Sequence, residues 1–124
     1  MRAIVTRATG IIAFVFIVAH AADFRGGTLW QPLGGAAATD QLYATLSSTR
    51  FGVPLTAAGY IAGLMAVAFH LGYGCYAALL GLGYVRNQNA ERRIARALAF
   101  AALGWFVLGL GAVVKAATGT LLPF

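Results

Sequence analysis

His20 and His70 are the two histidines of the chain, and each falls inside an apolar run, "GIIAFVFIVAHAAD" and "GYIAGLMAVAFHLGYGCYAALLGLGY". Ionisable residues in such runs are rare in membrane helices and generally face a bundle interior, a partner or a cofactor. Away from water an imidazole is held neutral, and a neutral imidazole either bonds a backbone carbonyl or ligates a metal. Imidazoles without a cluster of carboxylates or thiolates make poor zinc or iron–sulfur sites. They suit axial ligation of haem iron, because the apolar macrocycle belongs between membrane helices. Ligation by two imidazoles leaves iron no open position and favours electron transfer over oxygen chemistry. Gly74, one turn beyond His70 on the same helical face, would leave room for a flat neighbour. Met65 reads as packing rather than as a ligand.

The elements that must position these imidazoles follow from composition. Of the 124 residues 60% are hydrophobic and 10% charged, with a mean hydropathy of +0.80. Soluble domains carry about a quarter charged residues, so the inventory suits a bilayer better than water. A bilayer core of roughly 30 Å takes about 20 apolar residues as a helix, and lipid admits only helices or closed barrels. The apolar runs lack the alternation of strands. The expectation is an all-α integral membrane protein, one transmembrane domain over 1–124, with spans at about 4–22, 54–85 and 95–117. The second run has no charge from Leu55 to Val85, which as one helix would measure roughly 46 Å. On these spans His20 and His70 lie roughly 20 and 24 Å from Arg7 and Arg86, near the membrane interior.

Charge sets the expected orientation. Arg2 and Arg7 open the chain, and Arg86, Arg92, Arg93 and Arg96 cluster between the second and third spans, whereas Asp23, Arg25, Asp40 and Arg50 cancel in the first loop. By the positive-inside rule the N-terminus is cytoplasmic and the C-terminus outside; the expected location is a bacterial inner membrane. The net charge of +6 is then topology, and nucleic-acid binding is not expected. The N-terminal run also has the layout of a secretory signal, with an A-x-A pattern at Ala19-His20-Ala21. With Met1 present, the expectation is a retained span. In the first loop Gly26-Gly27, Pro32 and Gly34-Gly35 break helix. Thr39 or Asp40 then caps a short helix with Leu42, Tyr43 and Leu46 on one face, placed with Trp30 and Phe51 at the membrane interface. Pro54 suits the first turn of the second span. Small residues at helical spacing, Gly59 and Gly63, Ala62 and Ala66, Ala77 and Gly81, and on the third span Gly104, Gly109 and Gly111, permit close packing. Cys75 is the single cysteine, so no internal disulfide forms.

Three segments, "RATGIIAFVFIVAHAAD", "DQLYATLSSTRFGVP" and "YIAGLMAVAFHLGYGCYAALLGLGY", resemble the cytochrome b membrane anchor of succinate dehydrogenase and fumarate reductase. That family opens a span with R-x-T-G, matched by Arg7, Thr9 and Gly10. The span ends with F-x-x-x-H-x-x-D, matched by Phe16, His20 and Asp23. A D-x-x-Y element matches Asp40 and Tyr43, and H-L-x-x-G followed by L-G matches His70, Leu71, Gly74, Leu82 and Gly83. The resemblance covers roughly residues 7 to 115 and is closest to the C-terminal half of the two-haem, single-anchor type. Those anchors have five spans and four ligating histidines, each haem drawing one from each half. This chain has three expected spans and two histidines. The resemblance therefore implies that His20 and His70 serve different haems, and that a second anchor chain or a second copy completes the bundle.

The resemblance also implies haem b as cofactor, with His70 and His20 as axial ligands of iron. Gly74 would lie beside the haem, and Arg7 on a haem propionate or a quinone carbonyl. Flavoprotein and iron–sulfur subunits are expected at the cytoplasmic face and a membrane quinone as substrate. The chain itself would carry electrons and hold no catalytic residue. Tyr73, Tyr76 and Tyr84 are the candidates for the quinone pocket. Two other readings compete. One is a haem-free three-span scaffold that docks soluble partners through "RNQNAERRIAR", with satisfied packing histidines and Arg7 as an interfacial anchor. The other is a small cytochrome b of another membrane redox complex, such as a hydrogenase or formate dehydrogenase anchor.

Overall fold

The computed structural model describes residues 2–23, 35–49, 54–85 and 87–119. They form four helices: α1 (Arg2–Asp23), α2 (Gly35–Ser47), α3 (Leu55–Gly81) and α4 (Gln88–Thr118). α1, α3 and α4 are each long and apolar enough to cross a membrane, the architecture of a multi-pass membrane protein. Gly26-Gly27, Pro32, Gly34, Trp30, Phe51, Arg25, Arg50 and Arg86 lie outside the described residues.

The helix ends differ from expectation for identifiable reasons. The second span stops at Gly81 instead of running to Val85. Gly83 takes a φ of 74°, and its N–H donates to the Leu80 carbonyl at 3.1 Å while that of Tyr84 donates to Leu79 at 3.1 Å. These bonds are the Schellman arrangement, in which a left-handed glycine satisfies the last carbonyls. The Leu82-Gly83 pair is thus a helix cap in this chain. α4 starts at Gln88, seven residues before the expected 95, because the Asn87 side chain accepts the Ala90 N–H at 2.8 Å and caps the first turn. Glu91, Arg92, Arg93 and Arg96 therefore ride on α4, whose 31 residues measure roughly 46 Å. The longest span is the third, and α3, with 27 residues, still measures roughly 40 Å. Pro54 occupies the cap position before α3 rather than its first turn. α2 begins at Gly35, so Thr39 and Asp40 lie within it and do not cap it.

α3 is central. It packs against both α1 and α4, whose backbones do not approach each other among the described residues, and α2 lies across one end against α4, α3 and α1. The core collects at that end, where Leu46 of α2 is 1% exposed among Ala57, Tyr60, Val113 and Ala116. Elsewhere the layer is open. In their most apolar windows only 6% of α1 and of α4 is buried, against 28% of α3.

α1 and α3 are locked by two rings on two glycines. A Cβ at Gly63 of α3 would collide with the Phe16 ring of α1, and a Cβ at Gly10 of α1 would sit 2.8 Å from Cε1 of His70 on α3. α4 is seated by Leu64 against Gly109, where a Cβ would approach to 3.0 Å, and by Ala102 against Gly72 at 3.1 Å. Tyr76 adds a hydrogen bond, its hydroxyl donating to Glu91 Oε1 at 2.6 Å. A Cβ on Gly59 or Gly104 would have no atom within 4 Å, so these two glycines meet no neighbour among the described residues.

The contrast yields a test. Gly63→Ala is expected to cost about 1–3 kcal/mol by overpacking, whereas Gly59→Ala, in open space, removes only glycine's helix penalty and is neutral or slightly stabilising. Thermal unfolding of both variants in the same detergent measures the difference.

Candidate functional site

His70 reaches from α3 to α1 and lies across bare backbone. Its Cε1, Nδ1 and Nε2 stand 2.8, 3.3 and 3.5 Å from the position of a Cβ on Gly10. Nδ1 is buried with no hydrogen-bond partner among the described residues. The ring forms one wall of an open groove of about 490 Å³ whose other walls are Thr6, Arg7, Gly10, Ile11 and Phe14 of α1. Arg7 is exposed at this groove. Of the R-x-T-G residues, then, Arg7 and Gly10 face the imidazole. Thr9 does not, since its hydroxyl donates to the Val5 and Thr6 carbonyls at 2.9 and 3.1 Å.

His20 lies in the last turn of α1 and meets different neighbours. Its Nδ1 is 3.3 Å from the Tyr60 hydroxyl. Its ring stacks on Phe16 with centroids 5.6 Å apart and meets Tyr60 edge-on at 5.5 Å. Phe16 and Tyr60 are themselves edge-to-face at 5.3 Å, so the three rings form one cluster. A pocket of about 400 Å³ opens beside it, lined by His20, Tyr43, Tyr60, Leu64, Lys115 and Ala116 among others. Roughly 15 Å of α1 separates Gly10, against which His70 lies, from His20. The imidazoles belong to separate grooves and do not face a common metal. Among the described residues no three His, Cys, Asp or Glu side chains come together.

The remaining residues of interest are dispersed. No atom lies within 4 Å of a Cβ on Gly74, so that face is open. Tyr73 and Tyr76 line a groove of about 390 Å³ against Leu98 and Ala102 of α4, with Tyr73 stacked on Phe69 at 6.3 Å. Tyr84, past the α3 cap, is 68% exposed and apart from them. Met65 is exposed and Cys75 is a free, exposed thiol. Two residues that the sequence motifs do not single out, Tyr60 and Lys115, line the His20 pocket. An aromatic on the small-residue face of α3 and a lone cation near the end of an apolar span are the available signals.

Comparison of the chain with protein-family models, with curated proteins and with solved structures finds no match.

The separation of the two grooves is testable without any ligand. Tyr60→Phe removes the hydroxyl beside His20 but keeps the edge packing on Phe16. It is expected to shift the imidazole ¹⁵N resonances of His20, leave those of His70 unchanged, and cost about 0.5–1.5 kcal/mol of stability. Matched shifts at both histidines would mean that the grooves are coupled.

Proposed function

We propose that the chain is a haem b-bearing membrane anchor of a succinate:quinone oxidoreductase-type complex, passing electrons between an iron–sulfur subunit and a membrane quinone. One observation supports this reading above the rest. The chain's two histidines stand at different levels of a helical layer, each on an apolar groove, and one has a buried nitrogen without a partner. A buried unpaired imidazole nitrogen costs about 1–3 kcal/mol, so its retention in a lipid-type helix calls for a use.

The residues present fit a haem at each level. His70 lies against α1 with Nδ1 buried, and its ring lines the groove. His20 is oriented through Nδ1 by Tyr60, the kind of outer-shell support that metal-bound imidazoles use. Haem b held by two imidazoles would supply a one-electron carrier without an open coordination position. Arg7, exposed at the His70 groove, would pair with a carboxylate of the macrocycle or with a quinone carbonyl. Tyr73 and Tyr76 would bound the quinone site. The His70 groove is walled by α1 and by His70 itself, whereas the His20 pocket is lined from all four helices. An opposing ligand at the His70 groove would come from a second anchor chain or a second copy of this one, as the resemblance implies for each haem.

Orientation follows the charges. The contacts of Gly10 with His70 and of Tyr76 with Glu91 bring the start of α1 and the start of α4 to the same end. Arg7, Arg92 and Arg93 are exposed there, with Arg96 one turn further along α4. By the positive-inside rule this end is cytoplasmic and would receive the flavoprotein and iron–sulfur subunits. α2, at the other end, would lie along the outer interface.

The test is a reduced-minus-oxidised visible spectrum of protein expressed with haem available. Soret and α bands are expected, and His70→Ala and His20→Ala should each remove one haem. A spectrum without bands would leave the haem-free scaffold; bands untouched by either substitution would remove both histidines from the site.

A further inference from the structure

Gly10 has a role that composition alone does not explain. A glycine inside a helix costs about 1 kcal/mol relative to alanine, and small residues on membrane helices usually serve close backbone approach. Here the neighbour is a ring rather than a backbone. Three ring atoms of His70 fall within 3.5 Å of where a Gly10 Cβ would be, the nearest at 2.8 Å. Nδ1 of that ring is buried. Gly63 under Phe16 shows the same device one groove away, between two residues with no polar side-chain atoms to orient.

We infer that Gly10 is the positioning residue of His70. Its bare backbone lets the imidazole approach α1 closely, fixing the ring with Nδ1 buried at the groove that Arg7 also lines. On the reading proposed above, on which this role rests for its use, the imidazole held there is the one that would meet iron. A ligand must be held within about 0.5 Å and 10–20° of its working geometry. A methyl group at position 10 leaves too little room for that, because Cε1 would have to retreat or the two helices part.

The experiment uses the full chain and three alanine variants. Gly10→Ala is expected to shift the imidazole ¹⁵N resonances of His70 in haem-free protein. In haem-loaded protein it should shift the low-spin EPR signal and midpoint potential of one haem. Gly63→Ala, a deeper collision in the same helix contact, should lower thermal stability at least as much while moving the His70 readouts less. Gly59→Ala should resemble the parent. A thermodynamic cycle covers the case in which Gly10→Ala folds poorly. Its loss of stability should disappear in a His70→Ala background, where the opposing ring is gone. The inference is overturned if His70 resonances in Gly10→Ala match the parent, if Gly63→Ala moves them equally, or if the loss persists in the His70→Ala background. A parent protein without haem bands would instead overturn the proposed function, while the resonance and stability arms still decide the role of Gly10.

Discussion

The contact between α1 and α3 governs the rest of the molecule, and it consists of two aromatic rings laid on two glycines. Phe16 of α1 covers Gly63 of α3, and His70 of α3 covers Gly10 of α1. Between apolar helices in lipid there is no hydrophobic gain from association, so shape and van der Waals contact must hold them. A ring over a glycine is an efficient version of that, because the flat face meets backbone without an intervening side chain. The reciprocal pair also sets register. Sliding either helix by one residue would put Ile11 or Leu64 in place of a glycine and break both contacts. His20 then meets Tyr60, and the two candidate grooves appear on either side of the locked pair.

Because α3 takes both neighbours, the outer faces of α1 and α4 are left without cover inside the chain. Ile4, Ile11, Ile12, Phe14, Val15, Ile17 and Val18 of α1 are exposed, as are Phe100, Leu103, Trp105 and Leu108 of α4. Water would penalise that much apolar surface, whereas lipid or a second helical chain would not. The open layer, the one-sided groove at His70 and the open face at Gly74 are therefore facets of one architecture. α2 is different in kind: Leu46 plugs the end of the layer and is buried together with Tyr60, Val113 and Ala116.

Much of this can be read from the chain. The solvent, the helix class and the three spans follow from composition and run length, and both histidines are conspicuous. Helix ends are readable in principle, since Asn87 and Gly83 carry ordinary capping chemistry. Two stronger patterns mask them: an uncharged run that continues through Val85 past the glycine that ends α3, and a group of arginines that resembles a loop. Charges at the start of a membrane helix do not end it; they place it at the headgroups.

Sequence alone settled what was local or compositional: an apolar inventory that must fold as helices, two imidazoles without carboxylate or thiolate clusters, and basic residues gathered at the starts of α1 and α4. Tertiary structure decided which surfaces meet. α3 is apolar around its whole circumference, so no stripe in its sequence announces which side faces α1 and which faces α4. That choice rests on the fit of Phe16, His70, Leu64 and Ala102 against four glycines far away in the chain. The burial of His70 Nδ1 and the assignment of the histidines to separate grooves follow from that fit, which is long-range and geometric and leaves no trace in local periodicity.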